Sequence, residues 1–301
     1  MITTNVLLRD PFVLVDGENY YVYGTGSSKH STEAVGYVET VWACYKNTSG
    51  KLDGEWTRVE GLYEVPASAA ETPFWAPEVH RYGDSFYLIA TYRNKETNHR
   101  GCGILRAASP EGPFVEISDG HITPSDWDAI DGTLYVDPDG QPWLVFVHEW
   151  TCTPDGVGTF AAAKLSEDLS HFISDPVELF RATDPVWAKG KITDGCFLYT
   201  TKEGKLLMIW SNMDANGYAV GIAHSKSGKV DCTEWIHEPE LLFSKSLLGQ
   251  YDGGHGMLFR DTDGQMYLSI HSPNTPKLGR PETATFVPVV EENGSLRCIF
   301  D

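Results

Sequence analysis

Short runs of alternating apolar residues, separated by turns that contain glycine, recur along the whole chain. Residues 12–15 are followed by a turn at 16–19 and a second run at 20–23, which is the pattern of two antiparallel strands joined as a hairpin. Four further segments repeat this order of run, turn and run, at 79–90, 133–147, 197–210 and 257–270. Long helical periodicities are nearly absent, so the pattern predicts a protein built from β-hairpins.

Each hairpin is followed by two more strand-like runs, as in 218–224 and 234–243 after the fourth hairpin. Four strands per unit are typical of a propeller blade, and units of about sixty residues fill the chain. We therefore predict a single all-β domain over residues 1–301, a five-bladed β-propeller with four antiparallel strands per blade. A β-sandwich also uses many short strands, but its turns need not recur at a fixed long period.

Composition and charge exclude some classes of binding partner. The chain has 301 residues, 41% of them hydrophobic, and a formal net charge of −19 from 23 basic and 42 acidic residues. Such a charge repels phosphate backbones and anionic lipid surfaces, so nucleic acid and membranes are not expected partners. The N-terminus lacks the basic stretch and apolar run of a secretion signal, and we expect a cytoplasmic protein.

The six cysteines are spaced too irregularly for a zinc knuckle or a redox pair. They lie at positions 44, 102, 152, 196, 232 and 298. We predict six unpaired thiols, although the even count leaves three disulfides open for a secreted form.

One ionisable residue stands at the start of each predicted blade, about sixty residues from the next. These residues are Asp10, Glu78, Asp131, Asp194 and His255. Equivalent positions of the blades surround one axis, so we expect the five side chains to meet in a central cavity.

Four carboxyl groups in one cavity would raise one another's pKa, and their repulsion would destabilise the folded protein. Such an arrangement is useful where a reaction needs a protonated acid beside an ionised base. Glycosidases use such a pair. In the inverting mechanism one carboxylate activates water and a protonated partner about 6.5–9.5 Å away donates to the leaving oxygen. The sequence therefore favours hydrolysis of a glycosidic bond.

Four short motifs carry a family resemblance. They read RDPF at 9–12, WAPE at 75–78, IDG at 130–132 and TDG at 193–195. This set resembles the signature of glycoside hydrolase family 43. The resemblance implies a five-bladed propeller with an inverting mechanism on arabinose- or xylose-containing glycans, of the α-L-arabinofuranosidase or β-xylosidase type.

By motif position, the resemblance implies that Asp10 is the general base, Asp131 tunes the pKa of the acid, and Asp194 is the general acid. Most members of the family have glutamate where this chain has Asp194. Aspartate is about 1.5 Å shorter, and a displacement of about 1 Å can cost ~10²-fold in rate. Glu149, in the sequence His-Glu-Trp at 148–150, is the alternative acid.

Five residues are candidates for substrate binding, namely Trp75, Phe74, Glu78, His255 and Arg280. Trp75 or Phe74 would stack on the apolar face of a pentose ring, although packing between blades would also explain them. Glu78 would bind a sugar hydroxyl rather than catalyse. Arg280, on a loop after the fifth hairpin, would clamp hydroxyls unless it is simply a solvated charge.

His255 lies among Gly253, Gly254 and Gly256, which let the backbone approach the axis closely. The resemblance implies a place near the cavity, in many members beside a calcium ion bound through water. A single histidine offers one nitrogen, and calcium prefers oxygen ligands. We expect a site position for His255 and no required cofactor, with structural Ca²⁺ in the central channel as an option.

We expect an enzyme that removes terminal pentoses from plant-type oligosaccharides. One alternative is a carbohydrate-binding propeller without catalysis, in which Asp194 marks the loss of the acid. Another is a β-galactosidase or a glycoside phosphorylase of the same architecture. A phosphorylase needs a basic phosphate pocket, and Arg9 is the one cationic residue beside the blade starts.

Overall fold

A computed structural model of the chain describes residues 1–27, 39–248, 250–274 and 280–300. Its strands form five antiparallel sheets, and strands that are consecutive in the chain are neighbours in each of the first four. The first strands of adjacent sheets contact one another all round the ring. This arrangement confirms the predicted five-bladed β-propeller.

The first blade comprises β2 (Arg9–Asp16), β3 (Asn19–Ser27), β4 (Thr40–Asn47) and β5 (Thr57–Arg58). The second comprises β6 (Ala69–Tyr82), β7 (Ser85–Asn94), β8 (Arg100–Ala107) and β9 (Val115–Glu116). The third comprises β10 (Ala129–Val136), β11 (Pro142–His148), β12 (Thr159–Lys164) and β13 (Val177–Arg181). The fourth comprises β14 (Asp194–Thr200), β15 (Leu206–Met213), β16 (Tyr218–Ser225) and β17 (Trp235–His237).

The fifth blade closes the ring with both ends of the chain. Its inner strands are β18 (Gly254–Arg260), β19 (Met266–Ser272) and β20 (Thr283–Glu292). The outer edge of β20 pairs with β1 (Ile2–Thr3) over one part and with β21 (Ser295–Cys298) over another. A short helix, α1 (Lys245–Leu248), precedes this blade. None of the described helices is long and apolar enough to cross a membrane.

Each sheet is packed between two neighbours, so the second strands are apolar on both faces. Every residue of β11 is buried, which explains its unbroken apolar run at 143–147. Large aromatic side chains fill the spaces between blades, for example Trp42 against Phe74, with ring centroids 5.0 Å apart. All six cysteines are unpaired, as predicted.

The first strand of every blade contains a β-bulge near its start. In β2, Arg9 is opposite Thr25 and Phe12 is opposite Tyr23, so the first strand holds one residue more than its partner. The same irregularity occurs in β6, β10, β14 and β18. The residue at the bulge has positive φ in each case, with Asp10 at 54°, Ala76 at 41°, Asp131 at 56°, Gly195 at 52° and His255 at 50°. We call these five residues the bulge positions.

Candidate active site

A cavity of about 280 Å³ opens where the first strands begin and the second strands end. Since the two strands of a hairpin are antiparallel, these ends lie on the same side of the propeller. The residues lining it come from all five blades and are Arg9, Asp10, Thr25, Thr40, Trp75, Ile130, Asp131, Glu149, Trp150, Ile192, Asp194, Tyr218, His255 and Asn274.

The bulge positions differ from the expected ring of ionisable residues in two blades. Asp10, Asp131 and His255 occupy them as expected, but Ala76 and Gly195 occupy the other two. Glu78 lies two residues beyond the second bulge position and does not line the cavity. It is buried and contacts His80 at 2.8 Å.

Asp194 lies one residue before its bulge position and still reaches the cavity. Gly195 follows it in the left-handed region, and a Cβ atom there would lie 2.7 Å from the Cα of His255. Glycine is therefore required at 195 to let the fourth and fifth blades approach each other.

Asp10 is surrounded by groups that favour its ionised form. Its Oδ2 accepts a 2.6 Å hydrogen bond from the Thr25 hydroxyl, and its Oδ1 lies 3.2 Å from Nδ1 of His255. Burial alone would raise the pKa of Asp10, but His255, Arg9 and this hydrogen bond outweigh burial and lower it. Asp10 is thus an ionised carboxylate suited to accept a proton.

Asp131 and Asp194 form a hydrogen-bonded pair of carboxyl groups. Burial, with the charge of Asp10 next, raises the pKa of Asp131 to about 7. Burial, followed by the charge of Asp131, raises the pKa of Asp194 well above its usual range. The backbone N–H of Gly195 donates to Oδ2 of Asp131 at 3.1 Å and favours its ionised form. The shared proton therefore belongs on Asp194. Its Oδ2 accepts a 2.7 Å hydrogen bond from the Tyr218 hydroxyl, which opposes the rise in the pKa of Asp194 without cancelling it.

Glu149 lines the same cavity but is held in an ion pair. Its Oε2 accepts from Nε of Arg100 at 2.7 Å and lies 2.6 Å from Nη2 of the same residue. Burial raises the pKa of Glu149, and the guanidinium of Arg100 opposes this effect. Because its partner is a fixed cation, Glu149 is less suited than Asp194 to hold a proton for donation.

The aromatic candidates lie on opposite faces of β6. Trp75 lines the cavity beside Arg100, whose guanidinium is 5.6 Å from the ring centroid. Phe74, only 4% exposed, points into the core between the first two blades. Successive residues of a strand face opposite sides, so Phe74 and Trp75 cannot both contact a sugar.

Arg280 also lies outside the cavity lining. Its guanidinium covers the ring of Tyr251 at 4.6 Å and donates to the hydroxyl of Thr3 at 3.3 Å. The cation that does line the cavity is Arg9, which donates to the carbonyl of Asn274 at 2.8 Å and pairs with the buried carboxyl of Glu282.

Several lining residues were missed by the sequence argument. Thr25, Trp150, Tyr218 and Asn274 come from the ends of second strands, the starts of third strands and the loops beyond them. The hairpin pairing itself carried the signal, because the end of a second strand lies beside the start of the first. Arg100 was missed because its partner Glu149 is on another blade.

Among the residues that the structure describes, one set of atoms is compact enough to consider for a metal ion. A ligand atom from each of Asp131, Asp194 and His255 lies within 4.8 Å of the other two. Two carboxylate oxygens and one nitrogen fall short of the six to eight oxygen ligands that Ca²⁺ takes, so direct calcium coordination does not fit.

The chain resembles known proteins in sequence and in fold. The sequence profile described as glycosyl hydrolases family 43 matches residues 3–289. The crystal structure of an endo-arabinase from Bacteroides thetaiotaomicron is 34% identical, with a TM-score of 0.79 over 98% of this chain and 99% of the other. An endo-1,4-beta-xylanase from the same organism is 26% identical, with a TM-score of 0.77 over 98% of this chain and 95% of the other.

Two curated relatives match a shorter segment. An extracellular endo-alpha-(1->5)-L-arabinanase from Bacillus subtilis is 25% identical over 162 residues, 49% of this chain. An extracellular exo-alpha-(1->5)-L-arabinofuranosidase from Cellvibrio japonicus is 26% identical over 183 residues, 54% of this chain. Each match spans 45% of the relative's own length. Because the family profile covers nearly the whole chain, this protein belongs to glycosyl hydrolases family 43.

Proposed function

We propose that this glycoside hydrolase cleaves terminal α-L-arabinofuranosyl residues from α-(1→5)-linked oligosaccharides with inversion of configuration. The observation that carries the proposal is the division of roles among three carboxyl groups in one cavity. Asp10 is held ionised, whereas Asp194 retains a proton beside Asp131. A base and an acid with separated pKa values are what hydrolysis of a glycosidic bond requires.

The reaction follows from these protonation states. A water molecule attacks the anomeric carbon while Asp10 accepts its proton, and Asp194 gives its proton to the departing glycosidic oxygen. The C–O bond to the leaving group breaks as the C–O bond to water forms. Asp10 ends protonated and Asp194 ionised, and exchange with solvent restores the starting state.

The substrate class is supported by the relatives and by the cavity. The two curated relatives are named as an endo-α-(1→5)-L-arabinanase and an exo-α-(1→5)-L-arabinofuranosidase, and the 34% identical structure is an endo-arabinase. One of these relatives is named as an exo-acting enzyme, which supports removal of a terminal sugar. Trp75 and Trp150 supply apolar ring faces. Glu149, which lines the cavity, offers acceptor oxygens for sugar hydroxyls.

The chemistry described here needs no cofactor. A calcium ion held by His255 through water stays a prediction, separate from the roles of Asp10 and Asp194. Its test is activity after exhaustive chelation, with calcium restored in a parallel sample.

A substrate panel tests the proposed activity. We expect arabinose release from α-(1→5)-arabinotriose, with kcat/KM at least about tenfold above that for β-(1→4)-xylotriose, because differences in sugar hydroxyl contacts alone can supply such a ratio. Proton NMR of the first product should show the anomer opposite to that of the substrate. A retained anomer would contradict inversion, faster cleavage of xylotriose would contradict the substrate class, and binding without turnover would identify a carbohydrate-binding propeller.

The role of Asp131 predicts a change in the pH profile. Asp131→Asn removes a negative charge beside Asp194, and that charge is one cause of the raised pKa of Asp194. The pKa of the acid should fall, so the alkaline limb of kcat/KM should move to lower pH by about one unit or more. Rates measured across pH with an arabino-oligosaccharide check this. A limb that stays in place or moves to higher pH would show that Asp131 does not tune the acid.

A further inference from the structure

The bulge positions are held by side chains from the preceding blade. The N–H of Ala76 donates to Oγ1 of Thr25 at 2.8 Å, and the N–H of Asp131 donates to Oγ1 of Thr91 at 3.0 Å. The N–H of His255 donates to Oγ of Ser211 at 2.8 Å. In these three blades a hydroxyl on the second strand of one blade fixes the first strand of the next.

The same contact occurs where the ring closes. The N–H of Asp10 donates to Nδ1 of His271 at 3.1 Å. All four acceptors occupy the same position on the second strand of their blade. This position pairs with the residue just before the bulge on the first strand, as Thr25 pairs with Arg9 and His271 pairs with Gly254. The same type of polar contact therefore occurs at four of the five junctions between blades.

The fifth junction breaks the pattern. The equivalent residue in the third blade is Val147, opposite Ile130, and its side chain is fully buried without a hydrogen-bonding atom. The bulge position that it would hold is Gly195. The N–H of Gly195 binds Oδ2 of Asp131 directly instead, at 3.1 Å.

The first and third blades can be compared residue by residue. Thr25 accepts from the N–H of Ala76 and donates to Oδ2 of Asp10 at 2.6 Å, so a hydroxyl stands between that amide and that carboxylate. In the third blade Asp131 replaces Asp10, Gly195 replaces Ala76, and Val147 replaces Thr25, so amide and carboxylate meet without a spacer. The residue at this second-strand position thus sets how far each carboxylate lies from the next blade.

We propose that Val147 is a positioning residue, whose lack of a hydroxyl places the Asp131 carboxylate directly on the Gly195 amide and beside Asp194. This inference rests on the role proposed for Asp131. Val147 does not line the cavity, so it acts through Asp131 and not on the sugar. A hydroxyl introduced here would accept from Gly195 and donate to Asp131, as Thr25 does in the first blade.

The test compares Val147→Thr with Val147→Ala. Threonine keeps the shape of valine and adds the spacer, which should push the Asp131 carboxylate by about 1 Å and lower kcat by about 10- to 100-fold with little change in KM. Alanine removes methyl groups but adds no hydroxyl, so it should lose stability and keep kcat within about threefold of the parent. Val147→Ser is the smaller hydroxyl variant should threonine prevent folding.

A second measurement does not depend on turnover. In ¹⁵N-labelled protein, the Gly195 amide proton should shift upfield in the hydroxyl variants, because a neutral acceptor replaces a carboxylate, and should stay in place in Val147→Ala. An unchanged amide signal, unchanged kcat in the hydroxyl variants, or an equal loss of kcat in Val147→Ala would overturn the proposal. An inactive parent whose amide still shifts would count against the proposed function and not against this hydrogen-bonding scheme.

Discussion

Asp10→Asn is expected to lower kcat on α-(1→5)-arabinotriose by about 10²- to 10⁴-fold, because the general base is lost. Asp10 is the carboxylate of the cavity whose pKa is lowered, and an amide cannot accept the proton of the attacking water. The main chain at this position should survive the change, since its N–H is held by His271 and its Oδ2 contact with Thr25 can be kept by the amide oxygen. Substrate affinity should therefore change much less than turnover.

Three measurements separate the loss of a base from the loss of the fold. Turnover is followed by arabinose release, affinity by calorimetry with arabinotriose, and stability by the thermal midpoint. Asp16→Asn is the matched control, because Asp16 lies at the far end of the same strand, and its carboxylate makes a partly exposed 3.7 Å contact with Arg81. A parent-like rate in Asp10→Asn would remove Asp10 from the mechanism.

The sequence predicted the blades because the signals for them are local. Each hairpin is marked by apolar residues that alternate over four or five positions on either side of a glycine turn. Because this pattern recurs about every sixty residues, it predicts a ring of similar blades. The resemblance of short motifs then pointed to Asp10, Asp131 and Asp194, and all three line the cavity. Closure of the fifth blade by both chain ends was not visible, because it depends on pairing between residues such as Ile2 and Phe286.

The exact residue at which each bulge occurs could not be predicted from the sequence. A bulge adds one residue to a strand, and its location is set by the register with the partner strand. Glu78 stands directly before the apolar run that starts the predicted second blade, whereas the bulge itself is at Ala76. The same uncertainty of one or two residues hid the difference between Asp194 and the bulge position Gly195.

The environment of each carboxyl group also depends on long-range packing. The sequence offers Glu149 as the alternative acid, and only the fold brings Arg100 from the second blade to within 2.7 Å of it. Likewise, the pKa of Asp194 is raised by burial and by Asp131, which lies on another blade. The composition shows only that the protein is acidic. The roles of Asp10, Asp131 and Asp194 depend on which of these carboxyl groups keeps a proton in the folded protein.

Asp194→Asn compared with Glu149→Gln distinguishes the two candidate acids. If Asp194 is the acid, Asp194→Asn should lower kcat/KM on arabinotriose by about 10²- to 10⁴-fold, because the departing sugar alcohol needs a proton. A 2,4-dinitrophenyl arabinofuranoside has a leaving group that departs without protonation, so the loss with this substrate should be much smaller. Glu149→Gln should show no such dependence on the leaving group, since Glu149 is paired with Arg100.

The dependence on the leaving group is the decisive readout, since a variant that merely distorts the cavity loses rate on both substrates alike. Glu149→Gln also leaves Arg100 without its 2.7 Å partner, so a moderate rise in KM on both substrates is expected from weaker binding. If Glu149→Gln shows the selective loss and Asp194→Asn does not, the proton comes from Glu149. Selective loss in Asp194→Asn alone would mean that the shorter aspartate acts as the acid in a cavity shaped for it, with Tyr218 and Asp131 holding its carboxyl group.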